Sequence, residues 1–311
     1  MTASFIPLTH EGVLSIRGSD AKTFLQGQLT CNLAYISDER SSLGARCTPQ
    51  GRMLSSFRIL LDNDGYLLAM DQAILAPLID EMQKFAAFSK SKLTDESAQW
   101  RRFGLYQGDS ALSALGVELP REINSTVHHN QMIAVRVSEQ LSEIWVSADE
   151  GPCLHKRLAN LLPEETLNAW LLGQIRSGIG HVTLANREKF IPQMLNLPSL
   201  DAVSFKKGCY TGQEIVARMH YLGRLKRHMY RFQMSGDTVP EVGTALLSPV
   251  HSSAVGEVVC AARSEQGIEL LATALDDAVS DARIYLEGDE NTLLQQLELP
   301  YSLDTEREIL R

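Results

Sequence analysis

Apolar and polar positions alternate over Val13–Arg17, and Gly18 closes the run, which predicts a strand. Ser19 or Asp20 can then cap a helix that carries Phe24, Leu25 and Leu29 on one face. Over 54–61, Phe57, Ile59 and Leu61 fall on one side and Ser56 and Arg58 on the other, again strand periodicity. Asn63-Asp64-Gly65 supplies a turn to a second strand, Tyr66 to Met70, so the pair predicts a hairpin. Helical spacing returns over 75–88, where Leu75, Leu78, Ile79, Met82 and Phe85 form an apolar stripe.

The same order recurs more loosely. Strands are predicted at Arg102–Tyr106, Met132–Val137 and Ile144–Val146, and helices near 109–116, 149–161 and 164–177. From residue 229 the pattern changes to short strands: Met229–Met234, Ala245–Leu247, Val255–Ala262, Ile268–Thr273 and Ala282–Leu286. Gly, Asp and Ser separate them, and no helix is predicted before 290, which points to a small barrel or sandwich. The expected fold is α+β. Residues 1–100 and 101–228 form two similar halves, 229–311 form a β-barrel domain, and the polar tail Pro300–Arg311 is loosely held.

Composition narrows the classes. Of 311 residues, 44% are hydrophobic and 22% charged, which fits a soluble globular chain and excludes disorder. No apolar run approaches the ~18 residues of a membrane span; the best stretch, Ala73–Ile79, is short and contains Pro77. Met1-Thr-Ala-Ser-Phe5 carries no secretion signal. Cys31, Cys47, Cys153, Cys209 and Cys260 are sparse and lack zinc spacing, so reduced thiols in a cytoplasm are expected.

The net charge of −9 disfavours direct nucleic-acid binding, but its distribution is uneven. Lys206, Lys207, Arg218, Arg224, Lys226, Arg227 and Arg231 share one segment with a single acid, Glu214, so that segment is strongly positive. Two readings stand side by side: a solvated basic face, or a seat for an anionic ligand such as a carboxylate tail or a phosphate backbone.

That segment also holds the best candidate chemistry, Ser204-Phe-Lys-Lys-Gly-Cys-Tyr-Thr-Gly-Gln-Glu-Ile-Val-Ala-Arg218. Thr211-Gly-Gln-Glu214 fits a capping box with Thr211 as N-cap. Cys209 would then sit near the positive end of a helix dipole, with Lys206 and Lys207 upstream, a setting that favours a thiolate. The plain alternative is a small buried hydrophobe behind a turn. No dinucleotide, Walker, HExxH or GxSxG motif is present, and His128-His129 is expected in a loop, so no metal site is supported.

Lys207-Gly-Cys-Tyr-Thr-Gly-Gln-Glu214 strongly resembles the signature of the YgfZ family of folate-binding proteins, related to the glycine-cleavage aminomethyltransferase. The resemblance extends to Phe24-Leu-Gln-Gly-Gln-Leu-Thr30, Phe190-Ile-Pro-Gln193 with Asn196-Leu197, Gly223-Arg-Leu-Lys-Arg227 and Pro300-Tyr-Ser-Leu303. It implies tetrahydrofolate, or a one-carbon derivative, in a central cavity. It also implies a role in maintaining iron–sulfur enzymes, including those that thiomethylate tRNA. These enzymes or their assembly proteins would be the partners. The resemblance assigns a functional role to Cys209 and folate contacts to Trp170, Glu188, Lys206, Tyr210 and Arg218. Plain alternatives remain for Trp170, as part of a buried helix face, and for Glu188, as a surface acid. A second family tryptophan corresponds to Glu11 here, and the aminomethyltransferase Asp pair corresponds to the stretch Gly51-Arg-Met-Leu-Ser-Ser56. Serine cannot hold charge beside a developing iminium, so the resemblance favours a maturation factor over an aminomethyltransferase.

Overall fold

The computed structural model describes residues 2–63, 65–223 and 225–303. Asp64 of the expected turn, Arg224 of the basic run and 304–311 of the polar tail lie outside the described residues. The chain opens with β1 (Ser4–Pro7), β2 (Glu11–Arg17), α1 (Ala21–Gln26), β3 (Ser42–Cys47), β4 (Met53–Asp62), β5 (Gly65–Asp71), α2 (Gln72–Ala86) and β6 (Lys92–Asp95). It continues with β7 (Trp100–Tyr106), α3 (Asp109–Ala114), β8 (Thr126–His129), β9 (Met132–Arg136), β10 (Leu141–Ser147), α4 (Gly151–Ala159) and α5 (Leu167–Arg176).

Two five-stranded antiparallel sheets result. Their strand orders are β3-β4-β5-β2-β6 and β8-β9-β10-β7-β1. The N-terminal strand β1 therefore pairs with β7 and joins the sheet built otherwise from 100–147, away from the rest of the first hundred residues. The sheets pack face to face through Val13, Leu60, Leu67 and Ala69 of one and Ile133, Val135 and Trp145 of the other. Apolar side chains on both sides of that interface are removed from water, which is what holds two half-buried sheets together. The leads into β3 and β8 are also joined: Ser41 N–H donates to Asn124 O and Thr126 N–H to Glu39 O, each at 2.8 Å.

Helix α2 starts earlier than its apolar spacing suggests, because the Asp71 carboxylate accepts from Ala73 N–H at 3.0 Å and caps it. Phe85 is not part of its buried stripe; the ring is 51% exposed, with the Arg46 guanidinium 5.7 Å from its centroid. His128 and His129 lie in β8, not in a loop.

After α6 (Gln213–Tyr221) the last sheet comprises β11 (Arg227–Met234), β12 (Ala245–Leu247), β13 (Gly256–Ser264), β14 (Gly267–Leu275), β15 (Tyr285–Leu286), β16 (Asp289–Leu293) and β17 (Gln295–Leu297). Its order is β16-β15-β12-β13-β14-β11-β17. Only Leu294 separates β16, which pairs with β15, from β17, which pairs with β11. One stretch of chain thus reaches both edges, so the sheet curls into a half-barrel and is not a sandwich. A helix interrupts it, against expectation: α7 (Asp276–Asp281) forms with Asp276 and Asp277 in its first turn, where acids favour the helix dipole.

The segment between α5 and β11 ties the sheets together. Asn196, at φ +56°, donates through Nδ2 to Met229 O at 2.7 Å, and Tyr301 Oη donates to Gly178 O at 2.7 Å.

Candidate functional site

The loop that carries Cys209 is pinned on both sides of the thiol. Upstream, Lys207 Nζ donates to the carbonyls of Leu29 (2.7 Å) and Cys31 (2.8 Å). Downstream, Thr211 N–H donates to Gly27 O at 3.1 Å. Burial pushes the Lys207 ammonium down to about 8, partly offset by the nearby Cys31 thiol. Its Nζ lies 5.1 Å from the centroid of the Tyr210 ring, which is itself buried. Burial raises the Tyr210 hydroxyl well above its ordinary range, and that hydroxyl has no hydrogen-bond partner among the described residues. Between these anchors Cys209 is exposed, and the space beside Gly208 is open. The buried-hydrophobe reading of Cys209 therefore fails.

The capping box is not formed. Helix α6 begins at Gln213, its N-cap is Gly212 at φ +86°, and no side chain caps it. A Cβ on Gly212 would lie 2.5 Å from Thr48 O, so this turn combines a left-handed backbone with a close approach that only glycine permits. Thr211 instead anchors the loop. The basic run is also divided. Lys207 is spent on carbonyls and Arg231 on Glu269 (2.7 Å), leaving Lys206, Arg218 and Lys226 exposed.

Beside this loop lies an open cleft of about 1370 Å³. Its walls include Arg40, Ser41, Asn124, Lys206, His220 and His228. Phe205 stacks on His220 with centroids 3.7 Å apart and planes within 9°, which fixes the loop against α6.

Behind the Ser41 and Asn124 wall is a second, inner chamber. It is lined by Glu11, Arg58, Arg102, Glu143, Gln174 and His181, among others, and its free volume is about 10 Å³, room for roughly one water. Arg102 bridges two carboxylates, to Glu11 Oε2 at 2.5 Å and to Glu143 Oε2 at 2.7 Å. Its guanidinium lies 4.3 Å from the centroid of the Trp145 ring, and Trp145 Nε1 donates to Glu143 at 2.9 Å. Burial alone would raise the Glu11 carboxyl, but Arg102, with His10 and His181, brings it down to about 2. Burial lowers His181 and Arg58 from their ordinary values. Arg58 Nη2, Arg102 Nε, Gln174 Oε1 and His181 Nε2 are all buried and have no hydrogen-bond partner among the described residues. Such groups cost free energy when left unmatched, so four lining one space mark it as a polar site.

The structure thus divides the residues that the sequence singles out. Cys209, Lys206, Tyr210 and Arg218 belong to the signature loop and α6; Lys206 lines the cleft and Arg218 is exposed. Trp170 is fully buried on α5, one turn before Gln174, with its indole N–H unpartnered among the described residues. Glu188 is exposed at φ +64° and lines neither space. The chamber's Arg58, Arg102 and Glu143 escaped sequence reasoning because each reads as the polar side of an alternating strand. Their signal is a charge inside the runs Phe57-Arg-Ile, Arg102-Phe-Gly-Leu and Glu143-Ile-Trp-Val.

No family profile matches the chain. It is 30% identical over 296 residues to the tRNA-modifying protein YgfZ of Escherichia coli O157:H7 (strain EC4115), spanning 93% of this chain and 90% of that protein. The chain belongs to the YgfZ family. Another YgfZ, from Escherichia coli O17:K52:H18 (strain UMN026), is 28% identical over 306 residues, spanning 97% of this chain and 94% of that protein. Among solved structures, the glycine cleavage system aminomethyltransferase T of Bartonella henselae superposes with a TM-score of 0.71 at 12% identity. That match spans 96% of this chain and 85% of that one, and it establishes a shared fold.

The segments that carry the YgfZ resemblance have structural work in common. Phe24–Thr30 supplies carbonyls that hold Lys207 and Thr211, while Asn196 and Tyr301 clamp the intervening segment to the half-barrel.

Proposed function

We propose that the protein binds tetrahydrofolate or a one-carbon derivative and assists assembly or repair of iron–sulfur enzymes, with tRNA modification as the process served. The relatives named tRNA-modifying protein support the last clause. The observation that carries the folate reading is the outer cleft of about 1370 Å³ beside the signature loop, which has room for the ligand and polar side chains such as Ser41, Asn124 and His228 on its wall. Trp170 flanks the chamber's Gln174 through α5, and Lys206 in the outer cleft suits the carboxylates of a glutamate tail. The cleft fits the ligand in size and in the sign of its exposed cation, whereas the inner chamber has room only for about one water. When bound, the folate supplies a one-carbon carrier; the chain binds and orients it.

Cys209 is exposed on its pinned loop, accessible to a protein partner, and its sulfur is the contact for a one-carbon adduct, a persulfide or a labile cluster. Glu188, Tyr210 and Arg218 remain folate-contact candidates on the strength of the resemblance. The matching orders β3-β4-β5-β2-β6 and β8-β9-β10-β7-β1 support two similar halves, with the half-barrel as a third unit. The site of action is the cytoplasm, in keeping with the free thiols.

A folate-dependent one-carbon transferase is the second reading. Against an aminomethyltransferase stands the serine pair: Ser56 Oγ accepts from Val182 N–H at 2.8 Å, and Ser55 Oγ is buried without a partner among the described residues. Neither can supply the charge that the reaction needs. Titration of the protein with tetrahydrofolate, followed by tryptophan fluorescence, tests the folate reading, and absence of binding overturns it. Restoration of a thiomethylation-deficient strain by wild type, but not by Cys209→Ser or Cys209→Ala, tests the thiol's role. Equal restoration by both variants would make Cys209 dispensable.

A further inference from the structure

The rim of the outer cleft brings exposed aromatic rings and unpaired cations together, whatever the cleft itself holds. Arg218 stands three residues before Tyr221 on α6, so the two are neighbours on one helix face. Arg218 is exposed, Tyr221 is 50% exposed, and Leu222, which follows it, is 80% exposed. Tyr221 and Leu222 both line the cleft. The Tyr221 ring is held in place from one side. It stands edge-on to His220, with centroids 4.8 Å apart and planes at 74°, and to Phe205 at 6.0 Å and 72°. Since Phe205 and His220 are stacked on each other, the three rings form one fixed cluster. A large apolar ring and a leucine left at the surface of a cleft are the kind of exposure that marks a contact face.

The cations around this cluster are not neutralised. Lys206 lines the cleft next to Phe205 in the chain, and Lys226 and Arg227 follow α6. None of Lys206, Arg218, Lys226 and Arg227 has an ion-pair partner among the described residues, whereas Arg40 on the same cleft is taken by Glu122 at 2.6 Å. Among the described residues that line the cleft, Asp201 is the one carboxylate. The net charge of −9 is an average and is carried elsewhere: from Lys206 to Arg231 the only acid is Glu214.

Rings beside unneutralised cations suit an unpaired strand of nucleic acid. Every base has a π-face that stacks on an aromatic side chain, and every phosphate takes a cation. A glutamate tail would use the cations but leave Tyr221 and Leu222 without a partner. A duplex keeps its base faces stacked within itself, so it too would leave the ring unused. We infer that the end of α6, with Phe205 and Lys206 beside it and Lys226 and Arg227 after it, is a docking surface for an unpaired strand of RNA, with a base seated on Tyr221 and phosphates on the cations. That the strand is RNA rests on the tRNA-modification reading.

Fluorescence anisotropy on the full chain tests it, with a labelled RNA hairpin carrying an unpaired loop and with a blunt RNA duplex of the same length. The hairpin should bind about 10-fold more tightly than the duplex. Raising salt from 50 to 200 mM should weaken the hairpin about 20- to 50-fold, as three or four phosphate contacts to a single strand require. Tyr221→Ala should weaken it about 10-fold and Tyr221→Phe should bind like wild type, because stacking needs the ring and not the hydroxyl. Arg218→Gln combined with Lys226→Gln alters two exposed side chains and should lower the slope of log affinity against log salt by about 1.4. Equal binding of hairpin and duplex, or full affinity in Tyr221→Ala, overturns the proposal, because the surface would then be a general seat for anions. An unchanged salt slope in the double variant also overturns it, since these cations would not meet phosphate. Wild type that binds no RNA overturns it as well, and leaves standing a tRNA-modification role exerted through partner enzymes.

Discussion

Arg58 Nη1 donates to Asn124 Oδ1 at 2.9 Å, and this bond joins the two five-stranded sheets at the wall between the outer cleft and the inner chamber. The same nitrogen donates to Ser41 Oγ at 3.2 Å, while Arg58 also lines the chamber and its Nη2 has no partner among the described residues. One side chain thus belongs to both spaces. Arg58→Met should cost about 3 kcal/mol of stability, as expected when one partner of a buried charged network is removed. Urea denaturation reads this directly. A double-mutant cycle with Asn124→Ala should return a coupling of about 1 kcal/mol or more, and additive losses would show that the wall is not held by this pair.

Acid should unlock the chamber. The Glu11 carboxyl is held at about 2 in the folded chain against an ordinary 4.5. A depressed folded value means that its contribution is complete above 4.5 and is lost as pH falls toward 2. The contribution is of order 3 kcal/mol. Stability followed by circular dichroism should fall across this window in wild type, and Glu11→Gln should remove that part of the slope.

Trp170 and Gly104 are packed with no room for a methyl group. A Cβ at 104 would lie 2.6 Å from Trp170 Cζ3. Gly104→Ala should therefore destabilise the fold by about 1–3 kcal/mol through overpacking and shift the tryptophan emission. Trp170→Ala should cost about 3–5 kcal/mol through the cavity it leaves. If Trp170→Ala melts like wild type, the indole is not the packing element its burial makes it.

Native protein should show two fast-reacting thiols, Cys153 and Cys209, in a disulfide-exchange titration. Cys31 and Cys47 are buried, with their thiols pushed up to about 11 and about 12, and should react only on unfolding. Burial likewise pushes Cys260 up to about 12. Cys153→Ser should leave one fast thiol. Cys209→Ser should change stability by less than about 0.5 kcal/mol, since it removes an exposed atom.

What was legible along the chain follows where each strand sits in its sheet. The predicted strands of the first two sheets correspond to β2, β4, β5, β7, β9 and β10, which all have neighbours on both sides. The missed ones, β1, β3, β6 and β8, are the four edges. An edge strand pairs on one side only and packs less of its length, so its apolar alternation is weaker. The capping box at Thr211 failed for a different reason. Close contact of Gly212 with the 48–51 turn outweighed a local cap, and Thr211 was drawn to Gly27.

The sequence by itself determined the α+β class, the change to short strands after about 229, and the signature loop around Cys209. Those depend on periodicity and on contiguous residues, which a linear reading contains. Only the tertiary structure decided that the loop is pinned by carbonyls of 27–31, and that Glu11, Arg58, Arg102, Glu143, Gln174 and His181 converge on one chamber. These six lie on different strands, a helix and a loop, far apart along the chain. Two sheets must pack face to face before their charges meet, and no local pattern encodes that meeting.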